Sequence, residues 1–253
     1  MIEKPAVYIT FDKKEDEFLA YTANIIEKLN IEPIIVYTEG FLKSKRLDVE
    51  KLVRKYFKKA QIQAPLKNID QMARELSINM GVDIVFLWYK RYILRRSLAN
   101  RIINLLPGLK LWVYKNNCTQ DISKVCLPVD FSERSLRQLR FASMLKEVFP
   151  IETKLVYALN VGRLKGKMSE DEYRRILKDR KDEAFHLFKE SFGDVDLPLS
   201  LIEGDPYGGL SDHINTEGYD LTLVSRRGKG LAQAMGSVSQ HLIRSLRCPI
   251  VVL

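Results

Sequence analysis

Apolar residues along this chain follow two alternating patterns. In short runs they stand at successive positions, as in Ile34 to Tyr37, Ile84 to Trp88, Leu221 to Val224 and Pro249 to Leu253. Such runs suit strands buried on both faces of a parallel sheet. Between the runs, apolar residues return every third or fourth position within charged stretches, the period of a helix that buries one face. The pattern predicts strands at about 6–12, 32–38, 62–66, 83–88 and 109–114, with helices at about 14–29, 43–60, 68–80 and 92–105. A second series predicts strands at about 124–130, 151–158, 197–202, 220–225 and 248–253, with helices at about 132–147, 169–192, 206–217 and 236–246. In the helix over 169–192, Tyr173, Leu177, Phe185 and Phe188 are expected on the packed face. Alternating strands and helices imply an α/β fold: two tandem doubly wound, Rossmann-like domains with mainly parallel five-stranded sheets.

The two series read as copies. Val7 to Asp12 aligns with Val125 to Asp130, Val36-Tyr37 with Val156-Tyr157, Asp83 with Asp220, and Ser97-Leu98 with Ser237-Val238. The order is kept and the offsets rise, so the second copy carries insertions. The expected domains are 1–117 and 123–253, joined by a polar, turn-forming linker within Asn116 to Ser123.

Asp220 to Leu253 holds most of the candidate chemistry. It reads as a strand, a loop with Gly228 and Gly230, a helix opened by Gly236-Ser237, and a last strand. A glycine loop before a helix start brings backbone N–H groups close to a phosphate. Arg226, Arg227 and Lys229 add positive charge, and Ser237 and Ser239 carry hydroxyls. Asp130 ends the first strand of the second copy, facing the expected crevice, with Ser132 at an N-cap position. The same residues also fit a plainer account: Asp130 capping a helix, Ser237 as an N-cap, and glycines serving turns. Asp205-Pro206 reads as a helix start. In the first copy Asp12 is kept, no glycine occurs from Val82 to Pro107, and Arg96 takes the place of Gly236. That copy is expected to have lost the phosphate cradle. His186, His213 and His241 have no metal-ligand spacing, and neither GxxxxGK[ST] nor GxSxG occurs. No catalytic residue and no metal ligand is therefore assigned.

These motifs resemble the C-terminal signature of the universal stress protein family. Its nucleotide-binding members carry Gly-x2-Gly-x9-Gly-[Ser/Thr], a Val-Ser-like pair and a Cys-Pro last strand. Gly228, Gly236, Ser237, Val238, Ser239, Cys248 and Pro249 fall into the pattern. Ser225 stands at the first glycine position, and the second gap spans 229–235, two residues short of the family's nine. Pro128 to Ser132 looks like the family's first-strand motif, whose Asp contacts the adenine nucleotide. Ala158 falls at the second-strand position whose backbone meets adenine. The resemblance implies a tandem, non-enzymatic stress-response or signalling module that binds ATP, with Mg²⁺ accompanying the triphosphate. Its site would comprise Asp130, Ala158, Ser225, Arg227, Gly228, Gly236, Ser237, Val238 and Ser239. It also implies an unidentified protein partner and pairing through last strands, as a homodimer or as a pseudo-dimer of strands 109–114 and 248–253.

Composition changes this picture in one respect. The net charge of +9 is concentrated in residues 1–120, with 21 Lys and Arg against 13 Asp and Glu. The alternative reading is therefore a nucleotide-independent scaffold whose basic half binds an acidic partner or nucleic acid. A solvated basic face accounts for most of that charge, so nucleic acid is not the expected partner. No apolar run reaches the length of a membrane span. The opening run enters a strand at once, so no secretory leader is expected. Three cysteines without a framework suggest a cytoplasmic location.

Overall fold

The computed structural model describes residues 2–12, 15–39, 49–89, 102, 109–193, 195–226 and 235–253. The chain divides into a unit Met1–Gln120 and a second that begins at Asp121. In the first unit, β1 (Pro5–Tyr8), β2 (Ile34–Val36), β3 (Gln61–Ile62), β4 (Ile84–Trp88) and β5 (Lys110–Tyr114) lie in the order β3-β2-β1-β4-β5. All four pairings are parallel. The connections are α1 (Asp16–Leu29), α2 (Val49–Tyr56) and α3 (Ile69–Arg74), which runs on into a π-helical turn, Glu75–Asn79. The expected helix at 92–105 lies outside the described residues save Ile102.

The second unit repeats the plan. β6 (Lys124–Pro128), β7 (Glu152–Ala158), β8 (Leu199–Ile202), β9 (Leu221–Val224) and β10 (Ile250–Val252) take the order β10-β9-β6-β7-β8. They are linked by α4 (Glu133–Lys146), α5 (Glu170–Phe192), α6 (Gly208–Glu217) and α7 (Ser237–Ser245). In each unit the order turns back beside the first strand. An open α/β sheet forms its ligand crevice there, at the strands' carboxyl ends. The apolar runs became central strands for the expected reason: every residue of β4 and β9 is buried. The α5 face differs from expectation. It buries Tyr173, Ala184 and Phe192, while Phe185 is 51% exposed. Over a helix this long the 3.6-residue period drifts off the chosen stripe, and Ala184 takes the inward place.

Backbone hydrogen bonds correct the alignment of the two copies. Ile9 N–H donates to Val36 O as Val129 N–H donates to Val156 O, both at 2.9 Å. Glu15 N–H donates to Asp12 O as Ser135 N–H donates to Ser132 O. Phe11 and Phe131 share the left-handed conformation, with φ of 56° and 54°. Thr10, not Asp12, therefore stands where Asp130 stands. The sequence alignment slipped by two residues because a shift of two along a strand leaves every side chain on its own face. The match of Asp83 with Asp220 holds. Asp83 accepts from the N–H groups of Glu3 and Lys4, and Asp220 from those of Ser123 and Lys124.

One half-buried group in the second unit should make stability depend on pH. His213, on α6, has Nε2 buried with no partner among the described residues. Burial pushes its pKa down; the Glu217 carboxylate opposes this, and Lys154 and Lys124 add to it. A folded-state pKa below the unfolded value, about 6.5, means the unfolded chain binds the proton more readily. This contribution is fully present above about pH 6.5 and is lost as pH falls through the folded-state value. Urea midpoints at pH 7.5 and 5.0 should therefore differ less in a His213→Asn variant than in the parent. An equal difference in both proteins would show that His213 is not the group responsible.

Candidate functional site

A cavity of about 610 Å³ lies at the carboxyl ends of β6, β7 and β9, within the second unit. Its wall includes Asp130, Ala158, Ser225 and the run Gly236 to Ser239. Small-molecule sites occupy roughly 300–1,000 Å³, so a nucleotide-sized ligand fits. Of the site residues expected from sequence, Arg227 and Gly228 lie outside the described residues, as do Lys229 and Gly230. The other seven line this one cavity.

Asp130 sits just past β6, half-buried. Its Oδ1 accepts from Ser132 N–H at 3.2 Å, Ser132 Oγ at 2.6 Å and Ser135 Oγ at 3.0 Å. One oxygen thus organises the start of α4, and no hydrogen bond from a described residue reaches Oδ2. Ser132 is the N-cap by position, but its hydroxyl serves Asp130 rather than the helix. The fixed carboxylate presents an acceptor suited to ligand hydroxyl or amino donors.

Ala158 ends β7, paired with Ile202 of β8. Along β7, Leu155 and Leu159 direct their N–H groups to β8, while Glu152 and Val156 bond towards β6. The ladder's period of two turns the backbone of Ala158 to the β6 side, where β6 has ended. A planar ring could meet that edge through backbone groups alone.

The loop stem after β9 is pinned at both ends. Arg226 N–H donates to Leu253 O at 2.8 Å, and Arg226 O accepts from Gly236 N–H at 2.9 Å. Gly236 is the N-cap of α7, with φ −61° and ψ 144°. Any residue adopts that backbone, so glycine is not needed there for a positive φ. It lines the cavity, so any side chain there would stand beside the helix start. The first helical bond of α7 runs from Gln240 N–H to Gly236 O, and no side chain caps the end. The N–H groups of Ser237, Val238 and Ser239 are thus the orphan donors of a helix terminus, and they favour an anion. The serine hydroxyls are already engaged. Ser239 Oγ donates to Ser225 O at 2.8 Å, and Ser237 Oγ lies 2.9 Å from Tyr207 Oη. The backbone N–H groups are thus open donors for a phosphate, and the Ser237 hydroxyl joins them when Tyr207 is the donor of their shared bond.

Below the cradle, Asp205 holds the start of α6. Its carboxylate accepts from Tyr207 N–H at 2.8 Å and Gly208 N–H at 3.0 Å. These backbone donors, that of Tyr207 foremost, hold its pKa below the usual carboxylate value. The helix itself begins at Gly208, so Pro206 stands before it and lines the cavity instead.

Sequence reasoning missed Gln138, on α4. It is 3% exposed, lines the cavity, and donates from Nε2 to Ser225 Oγ at 3.1 Å. The available signal was the inward stripe Ser135, Gln138, Leu139, Ala142 and Leu145, in which Gln138 is a long polar residue on an apolar face. The first unit fills the matching positions differently. By the corrected alignment, Phe18 stands for Gln138 and Trp88 for Ser225, both buried. The carboxylate has moved: buried Glu15 accepts from Thr10 N–H and Thr10 Oγ1, where Asp130 accepts from Ser135. The first unit thus carries bulky apolar groups where the second carries a polar wall.

Among the described residues no group of three or more His, Cys, Asp or Glu could hold a metal ion, and no helix is long and apolar enough to cross a membrane. Comparison with known proteins agrees with the motif reading. The model of the Universal stress protein family matches residues 122–253. Universal stress protein MJ0531 of Methanocaldococcus jannaschii is 28% identical over 159 residues, covering 58% of this chain and 93% of that protein. A universal stress protein from Archaeoglobus fulgidus shares the fold with TM-score 0.72 at 14% identity, covering 100% of this chain and 96% of that one. A functionally unknown protein, PA1789 of Pseudomonas aeruginosa, gives TM-score 0.68 at 15% identity, covering 100% and 92%. The family model covers more than half of the sequence, and the chain belongs to the universal stress protein family.

Proposed function

We propose that the second unit binds an adenine nucleotide such as ATP and acts as a non-enzymatic, nucleotide-responsive module. The observation that carries this is the convergence of three strand ends and an uncapped helix start on one cavity. The anionic end goes to the first turn of α7, whose dipole and open N–H groups favour negative charge. The ribose lies near Asp130, whose Oδ2 accepts a hydroxyl, and the adenine lies against the backbone of Ala158. Asp130 is the one carboxylate lining the described cavity, so Mg²⁺ would ride on the phosphates and water rather than on a protein cage.

Isothermal titration with ATP and Mg²⁺ tests the reading, comparing the parent with Asp130→Ala. Loss of a charged acceptor for a ligand hydroxyl should weaken binding by about 10- to 100-fold, the range of a hydrogen bond to a charged group. The apo variant should also melt somewhat lower, because Ser132 and Ser135 lose their shared acceptor. No heat and no protection in the parent at millimolar ATP would overturn the proposal. Attention would then pass to partners of the basic first half.

A further inference from the structure

Gln138 is the most deeply buried polar side chain on the cavity wall, and its Oε1 has no partner among the described residues. The other end of its amide is fixed. Nε2 faces Ser225 Oγ, whose own hydrogen goes to Arg134 O at 2.8 Å. Ser225 Oγ can therefore only accept from the glutamine in this arrangement, which leaves Oε1 as the orphan. Oε1 is closed off from solvent in this arrangement, and a buried acceptor without a donor is costly; a small turn of the amide as an occupant seats would bring Oε1 to a ligand donor.

We infer that Gln138 is a specificity-determining residue that accepts a hydrogen bond from a ribose hydroxyl of the bound nucleotide; this rests on the nucleotide reading above. Its place in the fold selects the sugar over the base. Ser225 ends β9 and is tied through its carbonyl to Ser239, in the first turn of α7. Gln138 thus stands beside the anion end of the cavity. Ala158, on β7, lies two strands away in the order β9-β6-β7, about 10 Å at the usual strand spacing. The group next to a nucleotide's phosphates is its sugar. Asp130, on the intervening strand, offers a second acceptor, so a vicinal diol meets two acceptors. The first unit, with Phe18 at this position, offers no such reader.

The test measures dissociation constants of ATP, 2′-deoxy-ATP and 3′-deoxy-ATP for the parent and for Gln138→Leu. In the parent, at least one deoxy analogue should bind about 10-fold or more weakly than ATP, because losing the hydroxyl leaves a buried acceptor unpaired. In Gln138→Leu that ratio should fall towards one for the same analogue, while the apo melting temperature stays level or rises. A ratio unchanged by the substitution overturns the role of Gln138, and a lower melting temperature alone marks it as structural. Binding of all three nucleotides with equal affinity by the parent also overturns it, leaving the nucleotide site standing. Failure of every nucleotide to bind the parent overturns both.

Discussion

Substituting leucine for Gly236 is expected to raise the dissociation constant for ATP by about 100-fold, close to 2.7 kcal/mol, with little change in the apo protein. Gly236 lines the cavity at the N-cap of α7, and its φ of −61° is open to any residue. Its N–H bond to Arg226 O survives the substitution, so the loop stem stays closed. A branched apolar side chain there would crowd the approach to the N–H groups of Ser237 to Ser239 and remove water from an anion without replacing its hydrogen bonds. Thermal unfolding with and without ligand gives the readout. Ligand at 100 times its dissociation constant stabilises the parent by about 2.7 kcal/mol, several degrees at roughly 2–4 °C per kcal/mol. The variant at the same ATP concentration, then equal to its own dissociation constant, should keep only about 0.4 kcal/mol of that, roughly a degree. Equal protection of both proteins would place the nucleotide elsewhere.

Gly204→Ala should lower the unfolding free energy by about 1–3 kcal/mol or more, the cost of forcing atoms into a filled space. A Cβ on Gly204 would lie 2.7 Å from Gly209 Cα, and one on Gly209 would lie 2.6 Å from Gly204 Cα. Both obstacles are backbone, so no rotamer change relieves them. The contact joins the end of β8 to the first turn of α6, where Asp205 binds the helix N–H groups and Pro206 and Leu210 line the cavity. Separating the two glycines should therefore weaken ligand affinity along with stability. Gly208→Ala is the control: its nearest atom would be Asp205 Oδ2 at 3.8 Å, an ordinary contact. Urea unfolding of the three proteins should put Gly208→Ala near the parent and Gly204→Ala well below it. Similar midpoints for both variants would mean the glycine contact is not tightly held.

The described strands and their order were readable along the chain because burial on both faces writes itself into successive apolar residues, as in β4 and β9. The strand ends were less so. The expected strand at 124–130 stops at Pro128, since Asp130 and Phe131 turn away to meet α4. Seven of the nine expected site residues line one cavity, and the remaining two lie outside the described residues. Their roles shifted, however. The hydroxyls of Ser237 and Ser239 looked like phosphate ligands but bond Tyr207 and Ser225. Tyr207 was invisible to motif reading because it reaches Ser237 from the N-cap of α6, 30 residues earlier.

By itself, the sequence determined the α/β class, the repeated order of strands and helices, and the start of the last helix at Gly236-Ser237. These follow from local periodicity and from residue types that act on their own backbone. Only the tertiary structure decided that Thr10 answers to Asp130, that Glu15 took over the carboxylate in the first unit, and that Gln138 leaves an acceptor unpaired beside Ser225. Each of those facts depends on which groups meet across strands and helices far apart in the chain. A hydrogen bond between α4 and the end of β9 leaves no periodic trace in either segment.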